Sequence, residues 1–200
     1  MKELTQEELK EVQLQIMDYV DYFCRTNNIN YTLACGSLIG AIRHGGFIPW
    51  DDDIDIHILR KDYIRFTEMW NAHKDVHPFE LINIESGNNM GYPFGKIYDP
   101  KTITYIGNIE RTGVFIDVFP VDYVIDEEDY VERQSKIGHL YKMRNAYLQW
   151  KLMSTEMISL LNRFCAFFKK IRMSFKQMAI EISDIAQEVK TPTGFVYEMV

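Results

Sequence analysis

The sequence predicts an α+β domain: a mixed β-sheet flanked by helices, with a mostly helical C-terminal part. Three observations predict it. An amphipathic helical pattern opens the chain. A series of short β-like runs follows, broken by one further helical stretch. From Glu127 onward the pattern is again largely helical.

The first helix is expected over residues 5–25. Thr5 followed by Glu8 forms a capping box, in which each side chain satisfies a free backbone N–H of the first turn. Leu9, Val12, Ile16, Val20 and Phe23 recur at helical spacing and define a buried face. Asn27, Asn28 and Asn30 end it. Residues 31–35 are apolar and aromatic and read as a strand running into Gly36-Ser37. Residues 38–43 read as a short helix, stopped by Gly45-Gly46. After a loop over 47–52, residues 53–59 alternate acidic and apolar side chains, the period of a strand. Tyr63, Phe66 and Trp70 restore helical spacing over 60–71. Further β-like runs lie at 79–84, 94–98, 103–106 and 114–118, separated by Gly, Asn and Pro. The expected division is a catalytic core over 1–125 and a helical region over 126–200.

Composition narrows the function classes. With 46% hydrophobic residues, 12 Tyr and 12 Phe, the chain has enough apolar surface to offset the entropy of folding, so intrinsic disorder is excluded. A net charge of −7 disfavours nucleic acid as a partner, because that binding relies on Lys and Arg displacing counterions from phosphates. Cys24, Cys35 and Cys165 have no CxxC spacing, and read as buried thiols of a reducing compartment. The polar, acidic N-terminus lacks the apolar region of a signal peptide, and the expected location is cytoplasmic.

The chemistry concentrates in the stretch CGSLIGAIRHGGFIPWDDDIDI. A strand ending in Gly36-Ser37 before a helix presents free N–H groups, a close backbone approach and a hydroxyl, which together suit a phosphate. Asp53 and Asp55 follow on a strand, where residues two apart share a face and lie at most ~7 Å apart at Cα. Two carboxylates so placed repel unless a cation sits between them. Magnesium, a hard ion commonly held by carboxylates and substrate phosphates, fits, with manganese as the alternative. Asp117 stands alone inside the apolar run Val114–Phe119 and needs a partner, a metal or a shifted pKa. Asp51 and Asp52 read as a solvated turn, and Trp50 as filling the edge of the core, with stacking on a nucleotide base as its alternative. His57 shares the face of Asp53 and Asp55 by parity. A structural role for it stands beside a zinc or base role.

These residues resemble a known signature. The stretch GSLIGAIRHGGFIPWDDDIDIHILRKDYIRF is similar to that of the LicD family, and Gly95-Lys96-Ile97-Tyr98-Asp99 and the run Phe115–Asp122 resemble its next two blocks. The similarity covers residues 10–150. It implies a nucleotidyltransferase-like mixed sheet. It also implies transfer of phosphocholine from CDP-choline, or of a relative such as ribitol phosphate from its CDP donor, to a sugar hydroxyl of a cell-surface glycan, with release of CMP. By that resemblance Ser37 is the phosphate-turn serine. Asp53 and Asp55 are the paired metal ligands and Asp117 the third carboxylate. Gly36, Arg43, His44 and Lys96 are candidate donor contacts. Tyr92, Tyr98, Tyr105 and Tyr147 are candidates for a choline-binding aromatic box.

Two features lie outside this pattern. Residues 160–176 combine Phe164, Phe167, Phe168 and Ile171 with Arg163, Lys169, Lys170, Arg172 and Lys176. They suggest a helix that contacts the inner face of a membrane, where a glycolipid acceptor would reside. Residues 194–200 read as the beginning of a strand whose partners the chain lacks, so the C-terminal region is expected to be incomplete. The competing readings are nucleotidyl transfer to a small acceptor and an inactive fold kept as a scaffold.

Overall fold

The computed structural model describes residues 3–84, 91–106, 110–152 and 174–198, and excludes the side chains of 105, 106, 110, 111 and 146–152. The proposed membrane-contacting segment at 160–176 falls almost wholly outside the described residues.

Helix α1 (Gln6–Thr26) begins with the expected capping box, Thr5 paired reciprocally with Glu8. Ile16, Val20, Phe23 and Cys24 form its buried face, joined by Gln13. Strand β1 (Tyr31–Leu33) leads into α2 (Cys35–His44), which Gly45 terminates in the left-handed conformation. The helix therefore starts earlier than its apolar spacing suggests, and Gly36 and Ser37 lie within its first turn. Strand β2 (Asp55–Leu59) is shorter than the acidic–apolar alternation, and Asp53 precedes it. Helix α3 (Arg60–Ala72) follows directly and buries Tyr63, Phe66 and Trp70 as expected.

Strands β3 (Glu80–Ile82), β4 (Gly95–Tyr98), β5 (Thr104–Ile106), β6 (Glu110–Thr112) and β7 (Phe115–Val124) complete the middle of the chain. β5 and β6 form a separate two-stranded ribbon. The remainder is α4 (Glu127–Leu152), α5 (Phe175–Ala186) and β8 (Phe195–Glu198). The main sheet is mixed, in the order β1-β2-β7-β4-β3. β2 and β7 are parallel, the other pairs are antiparallel, and β8 also pairs with β7. Residues 195–198 thus have a partner within the chain, which corrects the expectation of an unpaired terminal strand.

β7 runs well past Val118 despite Pro120. A proline cannot donate to a ladder and is normally confined to edges. The Asp117 N–H points towards β2, donating to Ile54 O at 2.8 Å, so by alternation residue 120 faces the opposite edge. There the partner changes from β4, which ends its register at Val118, to β8, which begins at Val121. The missing donor falls in that gap.

One face of the sheet carries the main core. Ile54, Ile56, Ile58, Ile97, Ile116 and Val118 meet Ile16, Val20 and Phe23 of α1 and Tyr63, Phe66 and Trp70 of α3. A second cluster joins Val124 to Ile137 and Leu140 of α4 and Ile182 and Ala186 of α5. Arg60 is buried and donates two hydrogen bonds to Asp122, at 2.8 and 2.7 Å, linking the start of α3 to β7. Because side chains alternate, filling one face with Ile and Val leaves Asp55, His57, Lys96, Asp117, Phe119 and Glu198 on the other.

Candidate active site

The site is built on that second face. Asp55 of β2 and Asp117 of β7 are register partners, and Lys96 of β4 is the partner of Asp117 on its other side. Three charged side chains thus form a row across three strands. Lys96 Nζ lies 2.5 Å from Asp117 Oδ1, and both residues are buried, at 5% and 8% exposure. The Lys96 ammonium also lies 3.8 Å from the Phe115 ring centre, 5.0 Å from that of Tyr92 and 5.3 Å from that of Phe94. Phe94 in turn contacts Phe119, with ring centres 4.5 Å apart.

The carboxylates are electrostatically coupled. Burial and the charges of Asp53 and Asp117 push the Asp55 carboxyl up to about 7. Burial, with Asp51 and Asp52 adding to it, raises Asp53. Asp117 is raised by burial, with Lys96 opposing. Concentrated negative charge in a desolvated setting favours either a proton or a bound cation.

The backbone of Asp55 is clamped by the segment that opens α2. Its N–H donates to Ser37 Oγ at 2.9 Å, and its carbonyl accepts from the Ala34 N–H at 2.9 Å. Ser37 therefore positions Asp55 and retains its own O–H for donation elsewhere. Gly36 faces the Asp51 carboxylate: a Cβ built there would lie 2.4 Å from Asp51 Oδ2. A carboxylate against the first turn of a helix is favoured by the helix dipole. Asp51 Oδ2 is buried and has no hydrogen-bond partner among the described residues. The oxygens of Asp51, Asp52 and Asp53 lie within 4.8 Å of one another, a hard-donor set that suits a divalent cation such as magnesium. Asp53 is common to this trio and to the coupled set Asp53, Asp55 and Asp117.

Other expected residues fall elsewhere. Arg43 and His44 occupy the last turn of α2 and are exposed, at the end of the helix remote from Ser37. Trp50 is 80% exposed beside the acidic loop and fills no core edge, because the loop carries it outward. Cys35 is exposed, not buried, and its thiol is pushed up to about 11 by desolvation and by the charges of Glu198, Asp55 and Asp53. His57 Nε2 lies 2.6 Å from Glu198 Oε2. Of the tyrosines proposed for an aromatic box, Tyr92 lies by Lys96, while Tyr98 bonds Glu80. The side chain of Tyr105 and that of Tyr147 fall outside the described residues.

Gln13, Asp51, Phe94, Phe119 and Glu198 were not legible as site residues. Gln13 donates to the carbonyls of Asp52 and Phe115, at 2.7 and 3.3 Å, tying α1 to the acidic loop and to the start of β7. A polar residue on the apolar face of α1 was the available signal. Glu198 carried none.

Residues 28–150 match the family model described as LicD/FKTN/FKRP, nucleotidyltransferase domain. The chain is 33% identical over 190 residues to the lipopolysaccharide cholinephosphotransferase LicD of Haemophilus influenzae, covering 90% of this chain and 70% of that protein. It is 35% identical over 134 residues to an uncharacterized protein of Rickettsia prowazekii, covering 63% of this chain and 47% of the relative. A 44-residue stretch is 46% identical to human ribitol 5-phosphate transferase FKRP, covering 22% of this chain and 9% of the relative. With a family match over more than half its length and a mixed sheet that sets its acidic residues on one face, the chain belongs to the LicD family.

Proposed function

We propose that this chain transfers phosphocholine, or a related alditol or amino-alcohol phosphate, from a CDP-linked donor to a sugar hydroxyl of a cell-surface glycan, releasing CMP. The observation that carries the reading is the register pairing of Asp55 with Asp117, with Asp53 coupled to both. The relatives support the substrate class: one is a lipopolysaccharide cholinephosphotransferase and another a ribitol 5-phosphate transferase.

Asp53, Asp55 and Asp117 are the residues we assign to magnesium or manganese. Asp51 Oδ2, buried and without a hydrogen-bond partner among the described residues, fits a cation beside Asp53. Such an ion supplies charge neutralisation for a diphosphate, which together with positioning is most of what phosphoryl transfer requires.

The chain's own groups divide the remaining work. Ser37 and Ala34 hold Asp55 from both sides of its backbone. Where Asp117 is not taken up as a metal ligand, its buried carboxylate, raised by desolvation, is the base that accepts the proton of the incoming hydroxyl. Lys96 orients Asp117 through a buried hydrogen bond. The rings of Tyr92, Phe94 and Phe115 already seat the Lys96 ammonium.

The test offers CDP-choline, CDP-ribitol and CDP-glycerol to the chain with magnesium, reading melting temperature and CMP release. Metal-dependent stabilisation by one donor, with CMP release lost in Asp53→Asn and Asp55→Asn, is the expected result. Wild-type rates in either variant would sink the assignment. Pyrophosphate released from CTP would indicate nucleotidyl transfer instead, and no metal-dependent donor binding by calorimetry would indicate a scaffold.

A further inference from the structure

Beside the carboxylate row stands a second cluster of different chemistry. Cys35 Sγ from the first turn of α2, His57 Nε2 from β2 and Glu198 Oε2 from β8 all lie within 4.8 Å of one another. His57 Nε2 is 2.6 Å from Glu198 Oε2, and Cys35 Sγ is 4.0 Å from the same oxygen. The three donors come from segments far apart in the sequence, so only the fold assembles them.

We propose that Cys35, His57 and Glu198 form a binding site for a zinc-class transition-metal ion, separate from the carboxylate site of the transfer reaction.

The donor set argues for this class of ion. Thiolate and imidazole select borderline-soft metals, whereas magnesium and calcium take oxygen ligands. One Cys, one His and one carboxylate make a three-ligand site with a fourth position left for water or for an oxygen of a ligand, as in zinc sites that act on substrates. Tetrahedral coordination at usual zinc bond lengths needs donor–donor separations of roughly 3.3–3.6 Å. The His57–Glu198 pair must open from 2.6 Å and the Cys35–Glu198 pair close from 4.0 Å, both by less than the reach of a side-chain rotation.

The local backbone is consistent with that purpose. Cys35 has φ +45, the left-handed region that residues with a side chain seldom enter. Glycine would occupy it freely, yet a cysteine stands there with its thiol turned to His57 and Glu198. Binding would release the thiol proton to solvent. It would also fasten β8 to β2 and α2, since the ligands sit one on each.

Cobalt(II) is the probe, added to the full chain after chelator treatment. The expected spectrum has a thiolate-to-cobalt charge-transfer band in the near ultraviolet and intense visible bands of tetrahedral geometry, both displaced by one equivalent of zinc. Cys35→Ser should abolish the charge-transfer band. His57→Gln and Glu198→Gln should each weaken binding by roughly a hundredfold or more, beyond the cost of losing an outer-shell partner. Circular dichroism checks the fold of each variant, and Glu198→Gln, on an exposed strand, is the one least able to disturb it. Asp53→Asn and Asp55→Asn should keep the band, which separates this site from the transfer reaction. No thiolate band in the wild type, a band that survives in Cys35→Ser, or unchanged affinity in His57→Gln and Glu198→Gln would each overturn the proposal.

Discussion

Asp55 and Asp117 are direct neighbours on the parallel strands β2 and β7, two buried carboxylates held side by side by the sheet itself. Burial, then the charges of Asp53 and Asp117, disfavour the Asp55 anion, which makes stability sensitive to pH and to cations.

The Asp55 carboxyl, at about 7 in the folded chain, lies above its unfolded value of 3.8. A raised folded pKa means that the folded state holds the proton more tightly. The associated stability is fully present below about pH 4 and is lost as pH rises through about 7. In chelator, the melting temperature of the wild type should therefore fall relative to Asp55→Asn across that window. Magnesium should restore it near neutrality. Equal pH profiles for the two proteins would contradict the coupling.

Lys96 compensates Asp117 in a buried pair, so Lys96→Met leaves a carboxylate with no ammonium beside it. Removing one partner of such a pair costs about 3–5 kcal/mol. Urea denaturation at neutral pH should show a loss of that order, reduced in acid, where Asp117 is protonated. CMP release should fall as well.

Gly36→Ala should act on the site more than on the fold. Its Cβ would meet Asp51 Oδ2 at 2.4 Å, so the carboxylate must move. A displacement near 1 Å within a reacting site can cost about a hundredfold in rate. Gly46→Ala is the control, since a Cβ there meets nothing within 4 Å. Turnover in both variants, beside their melting temperatures, separates the two effects.

Arg60→Ala removes the guanidinium that donates twice to the buried Asp122. The expected loss is again roughly 3–5 kcal/mol, because Asp122 stays buried without its partner. Double substitution with Asp122→Asn should cost less than the sum of the single changes, which a double-mutant cycle measures.

The first-turn pairing of Thr5 with Glu8, the helical face of Tyr63, Phe66 and Trp70 and the stop at Gly45 depend on contacts a few residues apart. Local periodicity and capping report such contacts, and these were legible. The bounds of α2 and β2 were not. α2 starts at Cys35, ahead of its apolar spacing, and Asp51, returning from the following loop, lies against its first turn. β2 starts at Asp55 because its ladder with β7 begins there. The continuation of β7 through Pro120 likewise depends on β8, which arrives from the end of the chain.

The site divides along the same line. The sequence by itself determined the α+β class and the family, and it singled out Asp53, Asp55 and Asp117 as candidates, because an acid inside an apolar run must be compensated wherever it is buried. Only the tertiary structure decided which groups compensate it. Lys96 reaches Asp117 across a strand pair, Asp51 turns back onto Gly36, and Glu198 meets His57 and Cys35. Strand register and loop closure set those meetings, and they belong to the whole chain, not to any stretch of it. Asp53 and Asp55 are thus neighbours by sequence, while Asp55 and Asp117 are neighbours because β2 and β7 pair in parallel.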